Sequence, residues 1–338
     1  MAVKFKSLRL LTKVTAILIL ILAWLWGATA LWLAGPGPHW VQILIALAFG
    51  SFLPAAFLFT DSFAKGCTLS LFLFALLLLW WQTLTPTNEK DWALDVARIS
   101  HGEIQGNTLT MYNVRNFDYK SETLFYQHWE TRNYNLKNLQ GMDIFLSYWA
   151  SDHIAHTILS WDFGEDGHLP ISIETRKDLT QEYSSIKGFF KQFEICYIAA
   201  DEKDIIRLRT NFRKERVYLY RLQVSQQAAR ALLEDYLAKM KNLVDEPDFY
   251  NALSHNCTTT IQIHANAIRA DRPPPLDWRL IASGHVDELL YDRGVISSKL
   301  PLAQLRKMSR IDLIMQKEGK DDFSNIMRQH IEKAQDHN

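Results

Sequence analysis

The chain has 338 residues, with 37 Lys+Arg balancing 37 Asp+Glu, 48% hydrophobic residues and three cysteines. High apolar content excludes disorder, the low cysteine count excludes a disulfide scaffold, and zero net charge with interspersed signs lacks the basic stripe of a dedicated nucleic-acid binder. The apolar residues are unevenly spread: positions 14–84 hold long charge-free runs, whereas the remaining roughly 250 residues are richly charged and numerous enough for one well-cored domain.

Residues 14–34 carry no charge and, at about 1.5 Å per residue, are long enough to cross the hydrocarbon layer as a helix. The run is too long for a cleavable leader, and Gly35-Pro36-Gly37-Pro38 turns the chain straight into a second run, 41–60. A third run, 67–84, ends in Trp80 and Trp81, where an interfacial aromatic belt lies. Pro54 kinks the second run, which a helical bundle tolerates. Basic residues resist translocation, and Lys4, Lys6, Arg9 and Lys13 precede the first span, with none in the first connection and only Lys65 in the second. This distribution predicts a multi-pass protein of a bacterial inner membrane, with its N-terminus cytoplasmic and everything after the third span periplasmic. The expected organisation is a three-span anchor at 1–85, an α+β catalytic domain at 86–300 with an antiparallel sheet and packed helices, and a charged helical tail at 301–338.

Within the body, alternation and turn residues predict a hairpin around Gln105-Gly106-Asn107, with Leu109, Met111 and Val114 on its second strand. The run 144–149 reads equally as strand or short helix. Runs 157–163 and 169–173 flank Gly164-Glu165-Asp166-Gly167 as two antiparallel strands, and 193–199 and 217–222 are further strand candidates. Ser225 caps a helix to about 244 with a stripe of Ala229, Leu232, Leu233, Tyr236, Leu237 and Met240. A second helix runs from about 257 to 270, stopped by Pro273-Pro274-Pro275, although the β-branched Thr258 to Thr260 weaken its first turn. Asp201-Glu202-Lys203-Asp204 with Arg207, Arg209 and Arg213 reads as a solvated helix with pairs one turn apart. The tail beyond 300 offers Ile311, Leu313, Ile314, Ile326 and Ile331 as scattered apolar contacts.

Chemistry concentrates at Asn256-Cys257-Thr258, the start of the second helix. A thiol there faces unpaired backbone N–H groups and the positive end of the helix dipole, which favour thiolate and can hold the oxyanion formed when that thiolate attacks a carbonyl. A nucleophilic thiolate needs an imidazole to move protons and a partner to orient that imidazole. His156 lies at the mouth of the strand that continues Thr157-Ile158-Leu159-Ser160, and a hairpin folded about Glu165-Asp166 puts Glu174 or Thr175 opposite it. Cys257 is thus the candidate nucleophile, His156 the general acid/base and Glu174 the orienting group. Arg115, Arg176, Asn256 and Tyr250 are the candidate substrate-binding side chains. Duller readings stand beside these: a Cys196–Cys257 disulfide, a surface pair between Glu174 and Arg176, a packing role for Tyr250, and Arg115 satisfied by a nearby acid. His153 points elsewhere along the strand, His264 is two helical turns from Cys257, and no CxxC or HExxH pair accompanies them, so neither a metal nor another cofactor is expected.

The stretch from Asn113-Val114-Arg115-Asn116-Phe117-Asp118-Tyr119 through His156-Thr157-Ile158-Leu159-Ser160, Ser172-Ile173-Glu174-Thr175-Arg176 and Asn256-Cys257-Thr258-Thr259 resembles the N-terminal periplasmic domain of Lnb-type lipoprotein N-acyltransferases, over roughly residues 92–270. The His-before-Cys order and the Asn-Cys helix start are also similar to the circularly permuted papain-like fold of the lecithin:retinol acyltransferase family. The resemblance implies that Cys257 takes a fatty acyl group from a phospholipid as a thioester and passes it to an amine, such as the N-terminus of a lipoprotein. Family members carry membrane segments after this domain, whereas here three spans precede it. Two other classes share the residues: a periplasmic cysteine peptidase or amidase, and a non-catalytic anchored binding module.

Overall fold

The computed structural model describes residues 2–269, 277–296, 300–317 and 321–336. They form two compact bodies, one of residues up to 86 together with 184–192, the other of 87–183 and 193 onward. The expected stop at Pro273-Pro274-Pro275 lies outside the described residues.

The first body is built on three helices: α1 (Ala2–Ala34), α2 (His39–Leu58) and α3 (Phe63–Gln82). Each contains a stretch long and apolar enough to cross a membrane. Trp24, Leu31, Phe49 and Leu77 form a small buried core, whereas Leu22, Leu25, Leu47 and Leu79 on the outer faces are more than half exposed. A water-soluble bundle would turn such faces inward; lipid tails solvate them at no cost. Pro54 removes an amide inside α2, and nearby the indole N–H of Trp24 donates to the Phe49 carbonyl at 2.6 Å. Phe190 and Lys191 join this body: Phe190 lies against Trp26 and Trp81, and Lys191 Nζ donates to the Trp81 carbonyl at 2.8 Å.

The second body is α+β. Strands β1 (His101–Gln105) and β2 (Thr108–Arg115) close the expected hairpin through Gly106 at φ 63°, then come the two-residue strands β3 (Asp118–Tyr119) and β4 (Phe125–Tyr126), and β5 (Trp129–Asn135), which pairs with β2. The main sheet consists of β6 (Gly141–Ser151), β7 (Ile154–Asp162), β8 (His168–Arg176), β9 (Glu194–Ala199) and β10 (Arg216–Leu222), all antiparallel, in the order β10-β6-β7-β8-β9. The ambiguous run 144–149 is therefore a strand, flanked by β10 and β7; two hydrogen-bonded neighbours override its local ambiguity.

The sheet buries both faces. On one, Ile144, Leu146, Leu159, Ile171, Ile173 and Tyr197 pack against α5 (Gln226–Asp245), whose buried residues Ala229, Leu232, Leu233, Tyr236, Leu237 and Met240 are the predicted stripe and whose cap is Ser225, accepting from the Ala228 amide at 3.1 Å. Such a cap is worth about 1 kcal/mol. On the other face Phe145, Ile158, Cys196, Ile198 and Leu219 meet α4 (Glu202–Arg207) and a π-turn, Leu208–Phe212. The helix α6 (Cys257–Ala267) follows, and then α7 (Trp278–Ile281), α8 (Val286–Asp292), α9 (Leu302–Ser309), α10 (Asp312–Met315) and α11 (Phe323–Asp336).

Two expectations need correction here. The acidic and basic cluster at 201–213 is not solvated: Glu202, Asp204 and Arg209 are buried and each is paired, Glu202 with Arg328, Asp204 with Arg115, and Arg209 with Glu174 and Glu215. Beyond 300, Ile311 and Ile331 are buried in the second core and Ile314 and Ile326 pack against it as expected, but Leu313 is exposed and the contacts are not scattered, because Met315, Phe323 and Met327 join them in one cluster. Charged helices can be buried only when every charge meets a partner, and the partners come from distant strands.

Candidate active site

Cys257 is the first residue of α6. Asn256 caps the helix: its Oδ1 accepts from the Thr259 amide at 2.9 Å, and Thr259 Oγ1 accepts from the Asn256 amide at 3.0 Å. This reciprocal capping box compensates for the β-branched first turn. Asn256 Nδ2 donates to the Ala252 carbonyl at 2.8 Å, so the Asn256 side chain holds backbone rather than facing a cleft.

His156 stands on β7 opposite Ser147 of β6. The ladder between β7 and β8 ends at Ile158–Ser172 although both strands continue, and extending its register by two residues brings His156 opposite Glu174, as the hairpin arithmetic predicts. The imidazole is gripped in a way the sequence does not reveal. His156 Nε2 lies 2.7 Å from Ser172 Oγ, Ser172 Oγ donates to Glu174 Oε1 at 2.7 Å, and Nε2 is 3.2 Å from the same carboxylate oxygen. Arg209 Nη2 donates to Glu174 at 3.2 Å and its Nη1 to Glu215 at 3.2 Å, while Ser147 Oγ donates to Glu215. With His156 and Ser147 paired across the strands, these six residues close a ring on one face of the sheet.

Cys257 arrives from the opposite face, where it packs against the first core. Its sulfur interacts with the His156 imidazole where the β7–β8 ladder has ended. The sulfur lies within electrostatic reach of the His156 ring and the Thr157 amide, and Thr258 Oγ1 lies 3.8 Å from it. Thr258 Oγ1 also lies 3.1 Å from Thr157 Oγ1, tying the start of α6 to β7. Ring atom Nε2 is taken by Ser172 and Glu174.

The electrostatics agree with this geometry. Burial pushes the Cys257 thiol up, but the adjacent imidazolium, its hydrogen bond and the Thr157 amide outweigh it, and the net shift is downward. Burial and Arg209 push His156 down, yet Glu174 and the Cys257 thiolate overcome both and lift it to about 9. Burial raises Glu174, and His156, Arg209 and Ser172 bring it well below the usual carboxylate range. These shifts all favour a thiolate beside an imidazolium, backed by an ionised carboxylate.

The other candidates divide. Tyr250 is close to the cluster: burial first, then the negative charges of Cys257 and Glu174 and a hydrogen bond with Tyr183, hold its phenol protonated. Arg115 is not placed to hold a substrate. It is buried, with Nε and Nη2 on the Asp204 carboxylate and Nη1 on the Asp95 carbonyl, while the Phe117 amide donates to the same carboxylate. Arg176 is likewise committed, its guanidinium donating to the Val96 and Ala97 carbonyls and to Asn88 over the Trp92 ring, rather than pairing with Glu174. Cys196 is a buried strand residue and both it and Cys257 are free thiols, not a disulfide. His264 sits apart between Tyr197 and Asp235, and His153 Nδ1 meets His285 Nε2 at 2.9 Å.

Ser172 and Arg209 were missed by sequence reasoning. Ser172 was within reach of it, being two residues from Glu174 and so on the same strand face. Arg209 carried no signal, since nothing local reveals that a charge-rich segment is buried. No curated protein and no solved structure matches the chain. Residues 125–284 match the family model described as the Lnb N-terminal periplasmic domain, so the segment holding His156, Glu174 and Cys257 is similar to the domain that the motif order resembles.

Proposed function

We propose that this membrane protein is a thiol-dependent acyltransferase that carries an acyl group on Cys257. The observation that supports it most is the sulfur at a helix N-terminus, hydrogen-bonded to an imidazole lifted to about 9, with Glu174 behind it. In the first half-reaction the thiolate attacks the ester carbonyl of a phospholipid. The Cys257 and Thr258 amides, in the helix turn that lacks intrahelical acceptors, are the donors for the oxyanion. Collapse of that intermediate breaks the ester C–O bond, His156 gives its proton to the departing alkoxide, and a lysophospholipid leaves a thioester behind. In the second half an amine attacks the thioester, neutral His156 takes the proton from nitrogen, and the C–S bond breaks to return the thiolate with an amide as product. A lipoprotein N-terminus fits as the acceptor. The order of histidine strand before cysteine helix supports a circularly permuted papain-like arrangement, and the basic residues before the first span support a periplasmic location for the site.

Incubating the full chain in phospholipid micelles, followed by mass spectrometry of the Cys257 peptide, tests the reading. An added acyl mass, absent in Cys257→Ser and discharged by an amine peptide, is expected. A Cys257→Ser protein that transfers acyl groups at the wild-type rate overturns it.

A further inference from the structure

The parted strands create a problem that one side chain outside the triad solves. Beyond Ile158, β7 runs on to Ile154 paired with β6 alone, with no β8 residue in register to meet Ala155 or Thr157. Unpaired backbone groups at a buried edge cost about 1–3 kcal/mol each. Here the turn that precedes α8 supplies the partners. Ala155 N–H donates to Ser283 Oγ at 3.0 Å and the same hydroxyl donates to the Ala155 carbonyl at 2.7 Å, so one side chain does what a neighbouring strand residue would do. The Gly284 amide donates to the His153 carbonyl at 3.0 Å, and Tyr148 Oη donates to the Gly284 carbonyl at 2.7 Å. A Cβ on Gly284 would collide with the Asp152 carbonyl, so the close approach requires glycine. Two residues along the same strand, Thr157 Oγ1 lies 3.1 Å from Thr258 Oγ1, next to the sulfur, and the Thr157 amide helps bring the Cys257 thiol down.

We infer that Ser283 is a positioning residue for the thiolate–imidazolium pair. By saturating Ala155 it keeps β7 extended beyond the end of the ladder, so that the ring of His156 and the amide of Thr157 converge on one sulfur. It touches neither the sulfur nor a substrate, and it acts through the register of the strand. This inference rests on the proposed thiol chemistry and adds to it the part of the fold that holds the pair in line.

The test is the pH dependence of Cys257 alkylation by iodoacetamide, followed by peptide mass spectrometry on the full chain in detergent micelles. For the wild type, alkylation that persists well below the range of an ordinary thiol is expected; a profile like that of a free thiol overturns the proposed thiol chemistry itself. In Ser283→Ala the profile moves up by about one pH unit, a roughly tenfold lower rate at the acid end, with circular dichroism unchanged. Ser283→Thr, which keeps the hydroxyl, restores the wild-type profile. Gly284→Ala, which retains Ser283 but forces the turn off the strand, gives the same upward move and serves as the second variant should Ser283→Ala fold poorly. A depressed wild-type profile retained unchanged in a folded Ser283→Ala or Gly284→Ala protein overturns the positioning role while leaving the triad standing.

Discussion

Two buried ionic clusters of the second body, one around Arg115 and one around His156, differ in one respect. Around Arg115 every charge ends on a protein partner: the guanidinium on Asp204 and the Asp95 carbonyl, the carboxylate on Arg115 and the Phe117 amide. Around His156 the charges are equally well paired, but His156 and Glu174 keep 13% and 23% of their side-chain surface accessible, and Cys257 is only partly buried. A closed cluster can only hold the fold together. An open one that ends in a polarisable thiolate can react.

Substitutions in the two clusters should therefore fail in different ways. Cys257→Ala should abolish the thioester, with transfer reduced at least about 10³-fold and no change in the thermal unfolding midpoint; an acyl adduct elsewhere in the chain would put the nucleophile in the wrong place. Asp204→Ala should do the reverse, leaving Arg115 buried and unpaired at a cost of about 3–5 kcal/mol, read as an early urea transition; a midpoint within error of wild type would make the closed cluster dispensable. Glu174→Gln preserves shape and removes the charge that holds His156 up, so transfer should drop about 10²-fold and the alkaline limb of its pH profile should move to lower pH. Asn256→Ala removes the cap and the bond to the Ala252 carbonyl and should cost about 1–2 kcal/mol, with alkylation of Cys257 slowed only modestly.

The acid and base limits follow from the same groups. His156 is raised when folded, so its contribution to stability is complete below its ordinary value of 6.5 and is lost as the pH rises through about 9. Its ability to protonate a leaving alkoxide fades over the same range, so transfer should decline towards pH 9. Glu174 is depressed when folded, so its contribution is complete above its ordinary value of 4.5 and is lost as the pH falls through its folded value. Unfolding midpoints measured from about pH 2 to pH 10 would show both limbs, and Glu174→Gln would shrink the acid one.

Much of the site was legible beforehand because it is made of local signals joined by one hairpin. The 3.6-residue stripe of α5, the Asn256 cap and the turn at 164–167 each report a backbone choice that neighbouring residues make. The hairpin then relates His156 to Glu174 by counting alone. The reach of Cys257 to His156 was a different matter, since a hundred residues separate them and they sit on opposite faces of the sheet. The two meet where the β7–β8 ladder has already ended.

From the amino-acid order alone come the three apolar spans, the mixed body and the types of residue able to run thiol chemistry, because hydropathy, periodicity and side-chain chemistry are properties of short stretches. Folding decided which charges became scaffold and which became reagent. Arg115 and Arg209 look alike in the chain, but one meets Asp204 in a sealed interior and the other meets Glu174 beside an opened seam. Burial belongs to the packed sheet and its helices, and the partners brought together there hold the imidazole and shift the thiol against the cost of burial.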